Sequence, residues 1–216
     1  ARLHKESAPD IVPSPSAQPS GPLDDFEEVV IEASEPEELE LEDYQKTKLP
    51  KRPSWAELRS ETTDELINMI DAIAKLEGPV HQDVVIDRIR ECYDMGNVRG
   101  RTRTKVEQAI ETAISSQVKG EGSFIWSNNN QLKRKPRQAA DGNIEHVPPG
   151  ELELIVIATA ENISGAPRQH LVVEVARNMG FSWIGGRIAG RLNAVLDALL
   201  NIQRLVESFG NIRPPA

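Results

Sequence analysis

Cysteine is almost absent from this chain. Its single thiol, Cys92, excludes an intramolecular disulfide and fits a reducing compartment. Aromatic residues make up only 4% of the 216 positions and the mean hydropathy is −0.43, so one large core is not expected. No run approaches the roughly 18 apolar residues of a membrane span. The N-terminus has no hydrophobic secretory core either, which points to a cytoplasmic protein with no membrane partner. The chain opens on Ala1 without Met and reads as a fragment cut from a longer protein, although processing of a precursor would look the same.

The usual marks of catalysis are also missing. No G-x-x-x-x-G-K-[ST] loop is present, so the chain is not expected to hydrolyse ATP. Gly185, Gly186 and Gly190 do not follow a strand at dinucleotide-binding spacing; they read as a turn and a small residue in a packed helix. None of His4, His81, His146 and His170 pairs with another histidine or with Cys92 at metal-ligand spacing. His81 reads as a surface or capping residue, and Cys92, on an apolar helical face, as core. The carboxylates from Glu35 to Asp43 have no ordered scaffold to hold a metal between them. The expectation is a non-enzymatic chain without metal or cofactor.

What is present is divided unevenly. Residues 1–50 hold 13 acids, 4 bases and seven of the 15 prolines, while residues 51–216 hold 21 charges of each sign. The first segment runs from a Pro/Ser-rich part into an acidic part and buries too little apolar area to offset chain entropy. Residues 1–55 are therefore expected to be a disordered linker. The acidic part does interleave Phe26, Val29, Val30, Ile31, Leu39 and Leu41.

Helical spacing begins after Thr62, a plausible N-cap followed by Asp64 and Glu65. Ile67, Ile70, Ile73 and Leu76 form an apolar stripe that Gly78-Pro79 ends. A second helix is expected from about Gln82 and a third from about Thr102. Ser123–Trp126 and Gln131–Lys135, around the Asn-rich turn, read as a hairpin.

The pattern then recurs. Leu154 and Ile157 overlay Ile67 and Ile70 at a shift of 87, as Gly165 overlays Gly78. After the turn the shift becomes 86, placing Gly186, Arg187 and Arg191 on Gly100, Arg101 and Lys105. Each copy reads helix, extended link, helix, turn, helix, hairpin, with the second hairpin around Leu205–Ile212. The fold expected is mainly α with small β-hairpins: a tandem winged-helix-like repeat over residues 56–137 and 148–216, joined by 138–147.

The stretches EGPVHQDVVIDRIRE (77–91), RGRTRTKVEQAIETA (99–113), GSFIW (122–126), PPGELELIVIA (148–158), LVVEVARNMGF (171–181) and GGRIAGRLNAVLDALL (185–200) carry a resemblance. In this order they resemble an uncharacterised domain at the C-terminus of very large bacterial superfamily-one helicase-like proteins. The resemblance covers about residues 63–212. It implies a parent with an ATP-dependent helicase core, using ATP and Mg, and often a restriction-endonuclease-like domain upstream. Family members often carry a basic step before the third helix of the second copy, where this chain has Ser182-Trp183-Ile184-Gly185.

The remaining positive signal is electrostatic. Arg99, Arg101, Arg103 and Lys105 flank the third helix, Lys133, Arg134, Lys135 and Arg137 lie on or just past the expected wing, and Arg187 and Arg191 sit one turn apart in the second copy. A helix start and a wing can face one duplex. Cations at a helix N-terminus oppose its macrodipole by about a few tenths of a kcal/mol, so their recurrence points to an anionic partner. The function expected is DNA contact through phosphates by Arg101, Arg103, Lys105, Arg187 and Arg191, with Lys133, Arg134 and Lys135 as wing contacts. The competing expectation is a docking module for the parent's own helicase or nuclease domains or a partner subunit. Phe124 and Trp126 are expected to pack on the core.

Overall fold

The computed structural model describes residues 29–30, 39, 41–52, 55–128, 136–139 and 141–215. Strand β1 spans Val29–Val30 and helix α1 Trp55–Ser60. The first half continues through α2 (Thr63–Glu77), β2 (Val80–His81), α3 (Gln82–Cys92), α4 (Gly100–Ser116), β3 (Val118–Glu121) and β4 (Phe124–Ser127). A 3-10 turn at Ile144–His146 opens the second half. It is followed by α5 (Pro149–Asn162), α6 (Arg168–Asn178), β5 (Trp183–Ile184), α7 (Gly186–Asn201), β6 (Val206–Ser208) and β7 (Asn211–Arg213). Among the described residues the chain is mainly helical, with small antiparallel sheets.

Local chemistry sets these elements. Thr62 caps α2 in a reciprocal box: its hydroxyl accepts from the Glu65 N–H at 3.2 Å, and the Glu65 carboxylate accepts from the Thr62 N–H at 2.9 Å. Pro149 opens α5, where a missing N–H costs nothing. Leu66, Ile70, Ile73, Ile89 and Ile110 are fully buried in a first core, and Leu152, Ile155, Leu171, Leu192 and Leu199 in a second. Each such side chain contributes about 1.5–3 kcal/mol on burial.

The two halves run through the same order. In the first, β2 pairs antiparallel with β4, which pairs with β3. In the second, Ala166 bridges Ile212 of β7, which pairs with β6. Helices α2 and α5, α3 and α6, and α4 and α7 start at Thr63 and Pro149, Gln82 and Arg168, and Gly100 and Gly186, each pair 86 residues apart. One shift therefore aligns all three helices, and the expected change from 87 to 86 is not needed. The buried residues of α2 and α5 agree, with Leu66, Ile70 and Ala74 matching Leu152, Val156 and Ala160. A one-residue slip turns a helix by only about 100°, and both helices are apolar over more than one stripe, so periodicity alone did not fix the register.

Two further expectations change. The hairpin turn is Gly122-Ser123, between Glu121 and Phe124, and not the Asn-rich stretch. Gly122 takes φ +57, a left-handed backbone open to glycine. This sets the strand phase, so Ile125 and Ser127 are buried while Phe124 and Trp126 are half-exposed on the opposite face. The linker also ends before residue 55. Leu49 packs on the first core, and Leu39 and Leu41 on the second. The Tyr44 hydroxyl donates to Glu77 Oε2 at 2.7 Å, and the Cys92 thiol to the Pro50 carbonyl at 2.9 Å. The acidic part from residue 24 to 38 lies outside the described residues apart from β1.

The halves are clasped through buried charge. Arg137 Nη1 donates to the Glu77 carbonyl at 2.7 Å and Nη2 to the Pro79 carbonyl at 2.9 Å, while Nε contacts both Glu151 carboxylate oxygens at 3.1 and 3.2 Å. Arg137, expected just past the wing as a surface cation, is instead buried. No described helix is long and apolar enough to cross a membrane.

Candidate nucleic-acid interface

Val98 is buried and anchors the turn before α4, and Gly100 takes φ +54 as the helix begins. The cationic run therefore lies across the α4 N-terminus. Neither α4 nor α7 has an acid in its first turn or a side-chain cap. By contrast, α2, α3 and α5 carry Asp64 and Glu65, Asp83, and Glu151 there. Helix α6 also lacks an acid, but its Arg168 Nη1 lies 2.8 Å from Asp197.

The cations of the run differ sharply in what they touch. Arg103 is committed within the chain: its Nη2 lies 2.8 Å from Asp83 and its Nε 2.7 Å from Glu107, hydrogen bonds that raise its pKa. Lys105 Nζ donates to the carbonyls of Leu58 at 3.2 Å and Arg59 at 2.8 Å, and to that of Glu61. It thereby ties α4 to the C-terminal end of α1. Arg191, its counterpart in α7, stands 4.0 Å from Glu145 Oε2, and its buried Nε has no hydrogen-bond partner. Arg59 and Glu145 are themselves 86 residues apart, so the two cations face matching positions ahead of α2 and α5. The recurrence of Lys105 and Arg191 thus has an internal explanation.

Arg101 and Arg187 behave differently. Each is the second residue of its helix and exposed, with no hydrogen bond or ion pair among the described residues. Arg99 is exposed in the same way. Lys133, Arg134 and Lys135 lie outside the described residues.

Residues 56–93 match a family model described as a protein of unknown function (DUF3320). The match runs from α1 to the end of α3 and stops before the cationic run. It supports the resemblance to an uncharacterised domain over those residues. No curated protein and no solved structure matches the chain.

Beside these helix starts lies a junction that the linear spacing did not reveal. His81 and His146 stack with ring centroids 4.4 Å apart and planes at 23°, and Phe124 meets His81 edge-on at 5.2 Å. His81 Nδ1 accepts from the Asp83 N–H at 3.1 Å, capping α3 as expected. Burial lowers the His81 pKa, with the facing His146 acting in the same direction. His146 Nδ1 lies 2.6 Å from Asp141 Oδ2. A cavity of about 560 Å³ adjoins the stack, lined by Phe124, Trp126, Pro148, Pro149 and Arg191 among others. A second buried network joins Glu77 to Arg88 at 3.0 Å, with the Thr47 N–H donating to Glu77 Oε1 at 2.8 Å. One signal for it was readable: Glu77 falls four residues after Ile73 on the apolar stripe, where a carboxylate needs a partner.

Proposed function

We propose that this chain is a non-catalytic DNA-binding accessory region of an ATP-dependent helicase/nuclease, acting in the cytoplasm. Two winged-helix-like units, residues 56–137 and 148–216 with the connector 138–147, hold DNA through its phosphates for a motor elsewhere in the parent, whose ATP and Mg this chain does not bind. The observation that carries the reading is the pair Arg101 and Arg187. Both are exposed, and unpaired among the described residues, at the same position of an acid-free, uncapped helix N-terminus. Such a terminus presents N–H groups and positive potential to a phosphate, and an added arginine is unfavourable there without an anion. Arg99 extends the same surface, and Lys133, Arg134 and Lys135, which follow the β3–β4 hairpin in sequence, are proposed as further phosphate contacts. Arg103, Lys105 and Arg191 support the surface through their intramolecular contacts.

The test is fluorescence anisotropy of the chain with duplex and single-stranded DNA across a salt series. Two lost phosphate contacts in Arg101→Ala/Arg187→Ala flatten the slope of log K against log salt by about 1.8 on duplex DNA. Absence of binding at low salt, or an unchanged slope, overturns the reading. A second reading, a docking module for the parent's upstream domains, is favoured by Ile202 and Phe209, which stand exposed at the end of α7 and the tip of the β6–β7 hairpin. Tight binding to those domains, lost in Phe209→Ser, together with no DNA affinity, would select it.

A further inference from the structure

The sequence holds two short histidine–carboxylate pairs, His81 with Asp83 and Asp141 with His146, separated by nearly sixty residues. The fold brings them together at the junction of the halves. His81 ends β2 and caps α3, Asp83 lies in the first turn of α3, and His146 ends the 3-10 turn ahead of α5. One ligand atom from each of His81, Asp83 and His146 lies within 4.8 Å of the others, and all three residues are half-buried. We propose that His81, Asp83 and His146 form a binding site for one divalent transition ion of the zinc type, bridging the two halves. This inference does not rest on the DNA-binding reading.

The donor set selects the ion. Two imidazole nitrogens and one carboxylate oxygen suit Zn²⁺ and its neighbours, whereas Mg²⁺ and Ca²⁺ favour all-oxygen shells. Asp141 supplies the outer support. Its carboxylate 2.6 Å from His146 Nδ1 fixes that nitrogen as the protonated one and leaves Nε2 with a free lone pair, the usual arrangement behind a metal-bound histidine. Nε2 now accepts from Asn143 Nδ2 at 3.1 Å, a neutral contact that an ion would displace. The local charge is favourable, since Asp83, Asp141 and Glu145 all face the stack. Arg103 lies 2.8 Å from Asp83 Oδ1, while Oδ2 faces His81 Nδ1 at 3.8 Å.

Binding needs one movement. An ion lies in the plane of each imidazole that holds it, and two rings stacked at 23° cannot both point at one ion. Zn–N bonds of about 2.0–2.1 Å also bring tetrahedral ligand atoms to roughly 3.3 Å from one another. His146 is held on both ring nitrogens, by Asp141 and Asn143, whereas His81 accepts one backbone N–H. The His81 ring therefore turns out of the stack to meet the ion. Three protein ligands leave a fourth position for water.

The test uses the full chain stripped with EDTA, titrated calorimetrically with ZnCl₂ and followed by visible absorption with Co²⁺. One ion per chain is expected, with a Co²⁺ spectrum of low coordination number and no heat with MgCl₂ at the same concentrations. His81→Asn keeps an oxygen cap for α3 while removing the imidazole, and it weakens Zn²⁺ binding at least tenfold; His146→Gln does the same. Asp141→Asn weakens it by about 10–100-fold through the outer shell. His170→Asn, whose imidazole lies elsewhere, leaves it unchanged. Far-UV circular dichroism checks each variant, and if His146→Gln does not fold, His81→Asn still decides. Wild-type affinity no tighter than that of folded His81→Asn, or loss of binding in folded His170→Asn, overturns the site.

Discussion

Replacing Arg137 by leucine removes a guanidinium that joins the end of α2 to the start of α5. The substitution leaves the Glu151 carboxylate buried without its counter-charge, and the carbonyls of Glu77 and Pro79 without their donors. Breaking a buried ion pair from one side costs about 3–5 kcal/mol. The two carbonyls are not added on top, because the Pro79 carbonyl is only partly buried and water can reach it. In a chain of this size about 2–4 °C of melting temperature goes with each kcal/mol, so Arg137→Leu should melt about 6–20 °C lower. Urea unfolding followed by circular dichroism and tryptophan fluorescence checks the free energy. Hydrogen exchange compares α2 with α5, since a lost clasp should let one half open without the other. The double variant Arg137→Leu/Glu151→Leu should regain part of the loss, because no charge is then stranded. A loss below about 1 kcal/mol in the single variant, or a double variant no more stable than the single, would refute the clasp.

Two more outcomes follow from the contacts around the helix starts. Lys105→Met should lower stability by about 1–3 kcal/mol, since three carbonyls lose a charged donor, and should leave the salt slope of DNA binding unchanged; a flatter slope would return Lys105 to the interface. Deleting residues 1–38 removes ten acids, two bases and the β1 strand paired to β5, while keeping the packed stretch from Leu39. DNA affinity at low salt should rise and the difference should fade as salt screens it; equal affinity at low salt would refute competition by the acidic segment.

The elements fixed by local chemistry were readable. Thr62 followed by Asp64 and Glu65 announces the α2 start, Gly78-Pro79 its end, and Cys92 sits in the core on its apolar face. The errors share a cause: more than one local solution was acceptable, and tertiary packing chose. Asn128–Asn130 looks like a better turn than Gly122-Ser123, yet the observed pairing, with Val118 opposite Ser127 and Ile125 opposite Gly120, buries both Val118 and Ile125 in the first core. That choice places Trp126 on the face toward the second half. Residues 41–52 look like linker by composition, and they are held by single contacts to distant residues, such as Lys46 to Glu91 at 2.7 Å. The junction was the least legible part. His81 meets His146, and Arg137 meets Glu77, across spans that no spacing rule covers.

Internal repetition alone does not say why a residue is kept. A position recurs when each copy's fold requires it, or when each copy meets the same partner, and the chain's own contacts separate the two cases. Lys105 donates to the carbonyls of Leu58, Arg59 and Glu61, and Arg191 stands 4.0 Å from the Glu145 carboxylate, so each of these cations faces an acceptor of its own chain near the matching positions 59 and 145. Arg101 and Arg187 have no intramolecular contact of this kind among the described residues, and both sit where the helix dipole disfavours them. A charge held twice at an unfavourable position, without an internal partner among the described residues, is what the proposed phosphate contact would account for. The buried clasp adds a geometric consequence. With the buried Arg137–Glu151 pair joining the halves, the proposed phosphate contacts of Arg101 and Arg187 would come from one connected body and not from two independently tethered sites, so Arg137→Leu should weaken any joint contribution of the two arginines to DNA affinity.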